Sequence, residues 1–151
     1  MTVASDMRPT GAAMRRGGVI DPNTVPTSTF EWGVSKWIVT RDTVDANLSV
    51  GLSVLQPGKG HGRHNHPQSE EILYVASGRG TQMVNDEEPF PLYPGDFIHI
   101  PTGIYHATYS ASWEPLRVIA IHNPGGAEGR LRDEPGFEYL PPGAFPAWTR
   151  A

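Results

Sequence analysis

From Trp32 to His122 the chain is a succession of short stretches with strand chemistry, most of them closed by a glycine- or proline-bearing turn. Asn47–Leu55 is the clearest. Leu48, Val50, Leu52 and Val54 alternate with Ser49, Gly51 and Ser53, the period of a half-buried strand, and Gln56-Pro57-Gly58 ends it. Trp32–Thr40 is aromatic and β-branched, and Glu71–Ala76 is closed by Ser77-Gly78. Residues 81–84 and 89–92 read as a hairpin, Tyr93-Pro94-Gly95-Asp96 as a turn, and Phe97–Ile100 as a strand stopped by Pro101. His106–Ser110 and Leu116–His122 complete the series, with a short strand expected at residues 64–66. No segment of useful length has a helical period. The 17 glycines and 15 prolines, about a fifth of the 151 residues, are too dense for a helical bundle. The expected fold is one all-β domain, a sandwich or barrel.

The expected organisation is a loosely held arm over residues 1–25, a barrel over 26–123 and a Gly/Pro-rich tail over 124–151. The tail has room for one helical turn around Glu128–Arg132 and is expected to pack on the barrel through Phe137, Tyr139, Leu140 and Trp148. A net charge of −4 with no basic stripe argues against nucleic acid or an anionic membrane as partner. No apolar run approaches the ~18 residues of a membrane span. There is no cysteine, so disulfides and thiolate–metal sites are excluded and any metal must be held by N and O ligands. Arg15-Arg16 is not followed by an apolar leader segment, which makes the expected location cytoplasmic. Residues 27–40 carry two tryptophans and alternate like an edge strand, and an uncovered edge gives the expectation of a homodimer.

Gly58–Gly78 holds His61, His64 and His66 and the pair Glu70-Glu71, while Gly95–Ser110 adds His99 and His106. In a strand, His64 and His66 point to one face, and a carboxylate with one more histidine completes a divalent-metal site. Alternation alone does not choose between Glu70 and Glu71, because both faces of that strand carry apolar residues. His61 reads as a loop residue near the site mouth and His122 as structural. His99 reads as a cavity-facing donor or a hydrogen-bonded strand histidine. Arg63 reads as a solvated surface residue and the run Asp86–Glu88 as a solvated turn. Tyr74, Met83, Phe97, Ile104 and Tyr105 read as a pocket lining or as core.

These stretches resemble the two motifs of the cupin superfamily. The first, G-x5-H-x-H-x4-E-x6-G, is met by Gly58, His64, His66, Glu71 and Gly78. The second, G-x5-P-x-G-x2-H-x3-N, is met by Gly95, Pro101, Gly103 and His106, with Ser110 in place of the final Asn. The resemblance implies a double-stranded β-helix, or jelly roll, with His64, His66, Glu71 and His106 as metal ligands and one or two open positions on the ion. The ion would be Fe, Mn, Ni, Zn, Co or Cu. It implies a small-molecule enzyme, first of the dioxygenase type and alternatively a cyclase, isomerase or lyase of a secondary-metabolite pathway. Glu71 would double as base and His99 would assist. A non-catalytic ligand-binding module is the remaining class, although residues 1–25 show no helix-turn-helix pattern.

Overall fold

The computed structural model describes residues 17–146; Trp148 and most of the expected N-terminal arm lie outside the described residues. The chain forms β1 (Thr27–Phe30), β2 (Gly33–Val39), a single helical turn α1 (Arg41–Val44), β3 (Ser49–Leu55), β4 (Gly60–His64) and β5 (Glu70–Ser77). It continues through β6 (Gly80–Val84), β7 (Phe90–Leu92), β8 (Phe97–Ile100), β9 (His106–Ser110) and β10 (Leu116–Asn123), then a 3-10 segment (Ala127–Asp133) and β11 (Glu138–Leu140). Two antiparallel sheets result, ordered β11-β1-β2-β3-β10-β5-β8 and β4-β9-β6-β7. This is the jelly roll that the cupin resemblance implies, and one of the sandwich or barrel folds expected from the turn spacing. Gly58, Gly78, Gly95 and Gly103 all have positive φ. At Gly78 a side chain would also collide with the backbone of Pro115 and Leu116, so a larger residue there is excluded twice.

Strand register divides the barrel into two ends. At one end β3, β5 and β10 bring Leu55, Val75 and Leu116 together, each at most 2% exposed, and Leu92 joins them from β7. This apolar plug seals the barrel. At the other end the same strands carry polar groups: His122 of β10 lies opposite both Glu71 of β5 and Ser49 of β3. In the second sheet His64 of β4 lies opposite His106 of β9. A one-residue slip of either pairing would turn these side chains out of the barrel.

Several expectations are corrected. The strand at residues 64–66 is instead β4, which ends at His64, and His66 follows it in extended chain held by other bonds. The strand from Asn47 turns its serine and glycine face inward: Ser49 and Gly51 are buried and Leu48 is 38% exposed, because the barrel interior here is a polar site. The segment 27–40 is not an edge. β1 lies between β2 and β11, so the chain's own tail covers the strand on which the homodimer expectation rested. Both tryptophans face inward, and Phe137 packs on Phe30 with 6.0 Å between ring centroids.

Candidate metal centre

His64, His66, Glu71 and His106 each offer one ligand atom, and those atoms all lie within 4.8 Å of one another. The local chain explains how each is aimed. The loop of the second motif clamps the first: the Gly103 amide donates to the His66 carbonyl (2.9 Å), and the Asn65 side chain donates to the Gly103 carbonyl (3.2 Å). The residue between the two histidines is thus the strut that holds His66. Two rings have fixed tautomers. His64 Nδ1 donates to the Gly62 carbonyl at 2.7 Å and His106 Nδ1 to the Ile104 carbonyl at 2.9 Å. A carbonyl only accepts, so each neutral ring presents an Nε2 lone pair to the barrel axis.

Glu71 is 6% exposed and its two oxygens face different partners. Oε1 accepts from His122 Nε2 at 3.1 Å, while Oε2 lies 2.8 Å from His106 Nε2 and 3.5 Å from His66 Nε2. Neither of those two nitrogens has a hydrogen-bond partner, although both are buried. A carboxylate oxygen and an imidazole lone pair this close repel unless a cation lies between them. The Nε2 lone pairs of His64 and His106 and the Glu71 carboxylate meet His66 Nε2 around one point, and three imidazoles with one carboxylate suit a transition metal. The cluster therefore fits a metal.

Electrostatics agree. Burial pulls His64 down to about 2, with the neighbouring His61 and His106 adding to the shift, so its ring stays neutral and ligand-ready. Burial would raise Glu71, but the histidines packed on it, with His122 Nε2 donating to Oε1, outweigh it and hold the carboxyl well below its usual range. Burial lowers His122, yet its contacts with Glu128 and Glu71 prevail and take it up to about 9. His122 Nδ1 lies 3.7 Å from Glu128, an ion-pair distance too long for a hydrogen bond.

A second layer of histidines, which the sequence reading left at the margin, surrounds the cluster. His122 is 2% exposed and holds the outer oxygen of Glu71. His61 lies on β4 rather than in a loop, stacks on His64 at 3.6 Å between centroids, and has Nε2 3.1 Å from Glu134. Both partner carboxylates come from the tail. The 3-10 segment Ala127–Asp133 caps the barrel mouth, with Glu128 tied to His122 and to Ser49 Oγ (2.7 Å), and Glu134 follows just after it. The signal available in sequence was a pair of carboxylates flanking Leu131 in the expected helical turn, but nothing local says that they turn inward.

His99 is corrected. It lies on the outer face of β8 with its side chain 59% exposed, 2.9 Å from Glu70. Alternation puts Glu71, Leu73 and Val75 inside and Glu70 outside, where Asn123 also binds it. Of the residues weighed as a pocket lining, Phe97 is 73% and Tyr105 40% exposed, and Tyr74 packs on Phe97 with the rings tilted 46° to one another. Arg63 is a surface residue, bidentate to Asp86 at 2.6 and 2.8 Å and lying over the Tyr105 ring. The cavity itself, about 50 Å³, is walled by Leu55, Leu73, Val118 and Ala120 at its floor and by Ala127 and Leu131 of the cap. Larger hollows of about 210 and 400 Å³ lie beyond those cap residues, the first across Leu131 and the second across Ala127. Among the described residues, no helix is long and apolar enough to cross a membrane.

The Cupin domain family profile matches residues 51–122, the span from β3 to β10. The chain is similar to "Polyketide synthase CurC" of Streptomyces cyaneus, 30% identical over 105 residues that cover 69% of this chain and 68% of that one. Among solved structures it resembles a predicted oxalate decarboxylase from Thermotoga maritima at a TM-score of 0.62 and 19% identity, covering 70% of this chain and 98% of that one, which speaks to fold alone. It also resembles an oxalate decarboxylase from Lactobacillus farciminis, solved as a formate complex, at a TM-score of 0.61 and 28% identity, covering 68% of this chain but only 32% of that one. With both motifs in register, the jelly roll built and the histidine–carboxylate cluster assembled at its open end, the chain belongs to the cupin family.

Proposed function

We propose that this protein is a metal-dependent enzyme that binds a small β-dicarbonyl unit in the capped cavity and catalyses proton transfer at its enolisable carbon, the opening step of an aldol-type cyclisation or isomerisation. The observation that carries this is the convergence of His64, His66, Glu71 and His106 on one point in a small, largely apolar cavity, with the buried Nε2 atoms of His66 and His106 lacking any hydrogen-bond partner. A divalent ion bound there would supply Lewis-acid polarisation of a carbonyl or enolate oxygen. The chain does the rest. Leu55, Leu73, Val118 and Ala120 exclude water and so strengthen every charge interaction at the site. At roughly 10–15 Å³ per water position, the cavity holds a handful of heavy atoms, one dicarbonyl unit and not a polycyclic product. A longer substrate would extend past Leu131 or Ala127 into the outer hollows. The similarity to CurC favours a substrate of polyketide type, whose backbone is a run of such units.

The proton acceptor we assign is His61. Its Nε2 faces the Glu134 carboxylate, which only accepts, so that nitrogen carries the proton and Nδ1 keeps the lone pair. Glu71, the base expected from sequence, has one oxygen in the ligand cluster and the other on His122, and we assign it as ligand. The oxidative reading, a dioxygenase, uses the same four ligands with a redox-active ion. The similarity to CurC and the presence in the cavity wall of His61, paired with Glu134 behind it, favour the non-oxidative one. The deciding experiment is exchange of the enolisable protons of acetoacetate in deuterium oxide, followed by NMR under argon with zinc-loaded protein. Faster exchange with wild type than with His64→Ala supports the proposal. Turnover that appears only with a redox metal and consumes dioxygen overturns it in favour of the oxidative reading.

A further inference from the structure

The two tryptophans that mark residues 27–40 in the sequence have no part in the ligand set, yet both line the cavity. Trp32 is 7% exposed and lies between Phe30 (centroids 4.5 Å apart) and His61 (5.4 Å), the ring that stacks on His64. Trp37 stacks on His122 at 4.7 Å and lies flat on Gly51, where a side chain would reach within 2.7 Å of the indole. Gly51 is thus the residue that admits the second indole to the barrel. Both Nε1 atoms are buried and neither has a hydrogen-bond partner. An indole N–H only donates, and a buried donor left without an acceptor carries its full desolvation cost. Two such donors, carried by residues that line one cavity and opposite in character to the lone pairs of the histidine cluster, lack acceptors among the described residues.

We propose that the Nε1–H groups of Trp32 and Trp37 are substrate-orienting donors and that the ligand is oxygen-bearing at both ends. One pair of oxygens faces His64, His66, Glu71 and His106, and the outer oxygens accept from the indoles. This rests on the reading of the site as a metal-dependent one and narrows its substrate from any β-dicarbonyl to one that ends in a carboxylate or ester. A diketone ending in hydrocarbon leaves the indoles unsatisfied and is discriminated against.

The test compares malonate with 2,4-pentanedione. Both have the same number of heavy atoms and chelate through two oxygens, but malonate carries outer oxygens where the dione carries methyl groups. Zinc content is measured first, then calorimetric titrations are run on wild type, Trp32→Phe and Trp37→Phe, which keep a ring and lose the N–H. Each substitution is expected to weaken malonate roughly 5- to 15-fold and to leave the dione within about twofold. Equal weakening of both probes would mean that the rings only pack, and no weakening of malonate would mean that water satisfies the donors; either result overturns the proposal. The indole N–H resonances of 15N-labelled wild type repeat the test without substitution, with a downfield shift expected from malonate and none from the dione. Should wild type bind no zinc, the metal reading falls, and the same resonances in the metal-free protein still decide the role of the indoles.

Discussion

Glu71 and His61 show how differently neighbouring groups are employed at the residue scale. Glu71 is a buried carboxylate whose outer oxygen accepts from His122, and the proton acceptor we assign is the imidazole that Glu134 orients. Glu71→Gln is therefore expected to lower metal content. His61→Gln is expected to leave metal content near wild type and to slow proton exchange by ~10²-fold or more, the usual loss when a general base is removed. Exchange rate per bound metal, from NMR and elemental analysis on the same samples, checks both. A His61→Gln protein with wild-type exchange would return the base role to Glu71. The ligand positions were legible in sequence because motif spacing fixes them, and the choice of Glu71 over Glu70 came with it. Alternation could not make that choice, since Ile72 and Tyr74 follow Glu70 on the outer face as apolar residues. The inward turn of His122 and outward turn of His99 were not legible, because they depend on the β10–β5 and β5–β8 registers, which only the folded sheet sets.

Among the elements, the cap is what the sequence showed least. A helical turn near Glu128–Arg132 was readable, and the 3-10 segment Ala127–Asp133 stands there. Its function as a latch was not, because Glu128 reaches across to Ser49, whose strand lies far away in sequence. Glu128 is held down to about 2: burial would raise it, but His122, Ser49 and the backbone around Gly126 prevail. Its folded pKa is depressed, so its stabilisation is fully present above the unfolded value near 4.5. That stabilisation is lost as pH falls from there towards about 2. In metal-free protein, Glu128→Gln is expected to cost about 1–3 kcal/mol at neutral pH. The gap in thermal midpoint from wild type should hold steady from pH 7 to 5 and close below about 4.5. A gap that does not change on acidification would show that Glu128 does not latch the cap as a carboxylate. The edge assignment of residues 27–40 failed for a related reason. β11 is only three residues long and has no strand signal of its own, yet it pairs with β1 and covers that edge.

The whole molecule is a barrel with an apolar plug at one end, a polar site at the other and its own tail folded over the opening. That plan makes the site dry and small, and it gathers a histidine–carboxylate cluster able to hold a cation. The central claim is that four side chains and no others hold that cation. Elemental analysis of protein purified without added metal tests it most directly, across wild type, single substitutions His64→Ala, His66→Ala, Glu71→Gln and His106→Ala, and the outward-facing control His99→Gln. About one transition-metal ion per chain is expected in wild type and His99→Gln, and sharply less in the other four. Undiminished metal in His66→Ala or His106→Ala, or loss of metal in His99→Gln alone, would contradict that claim.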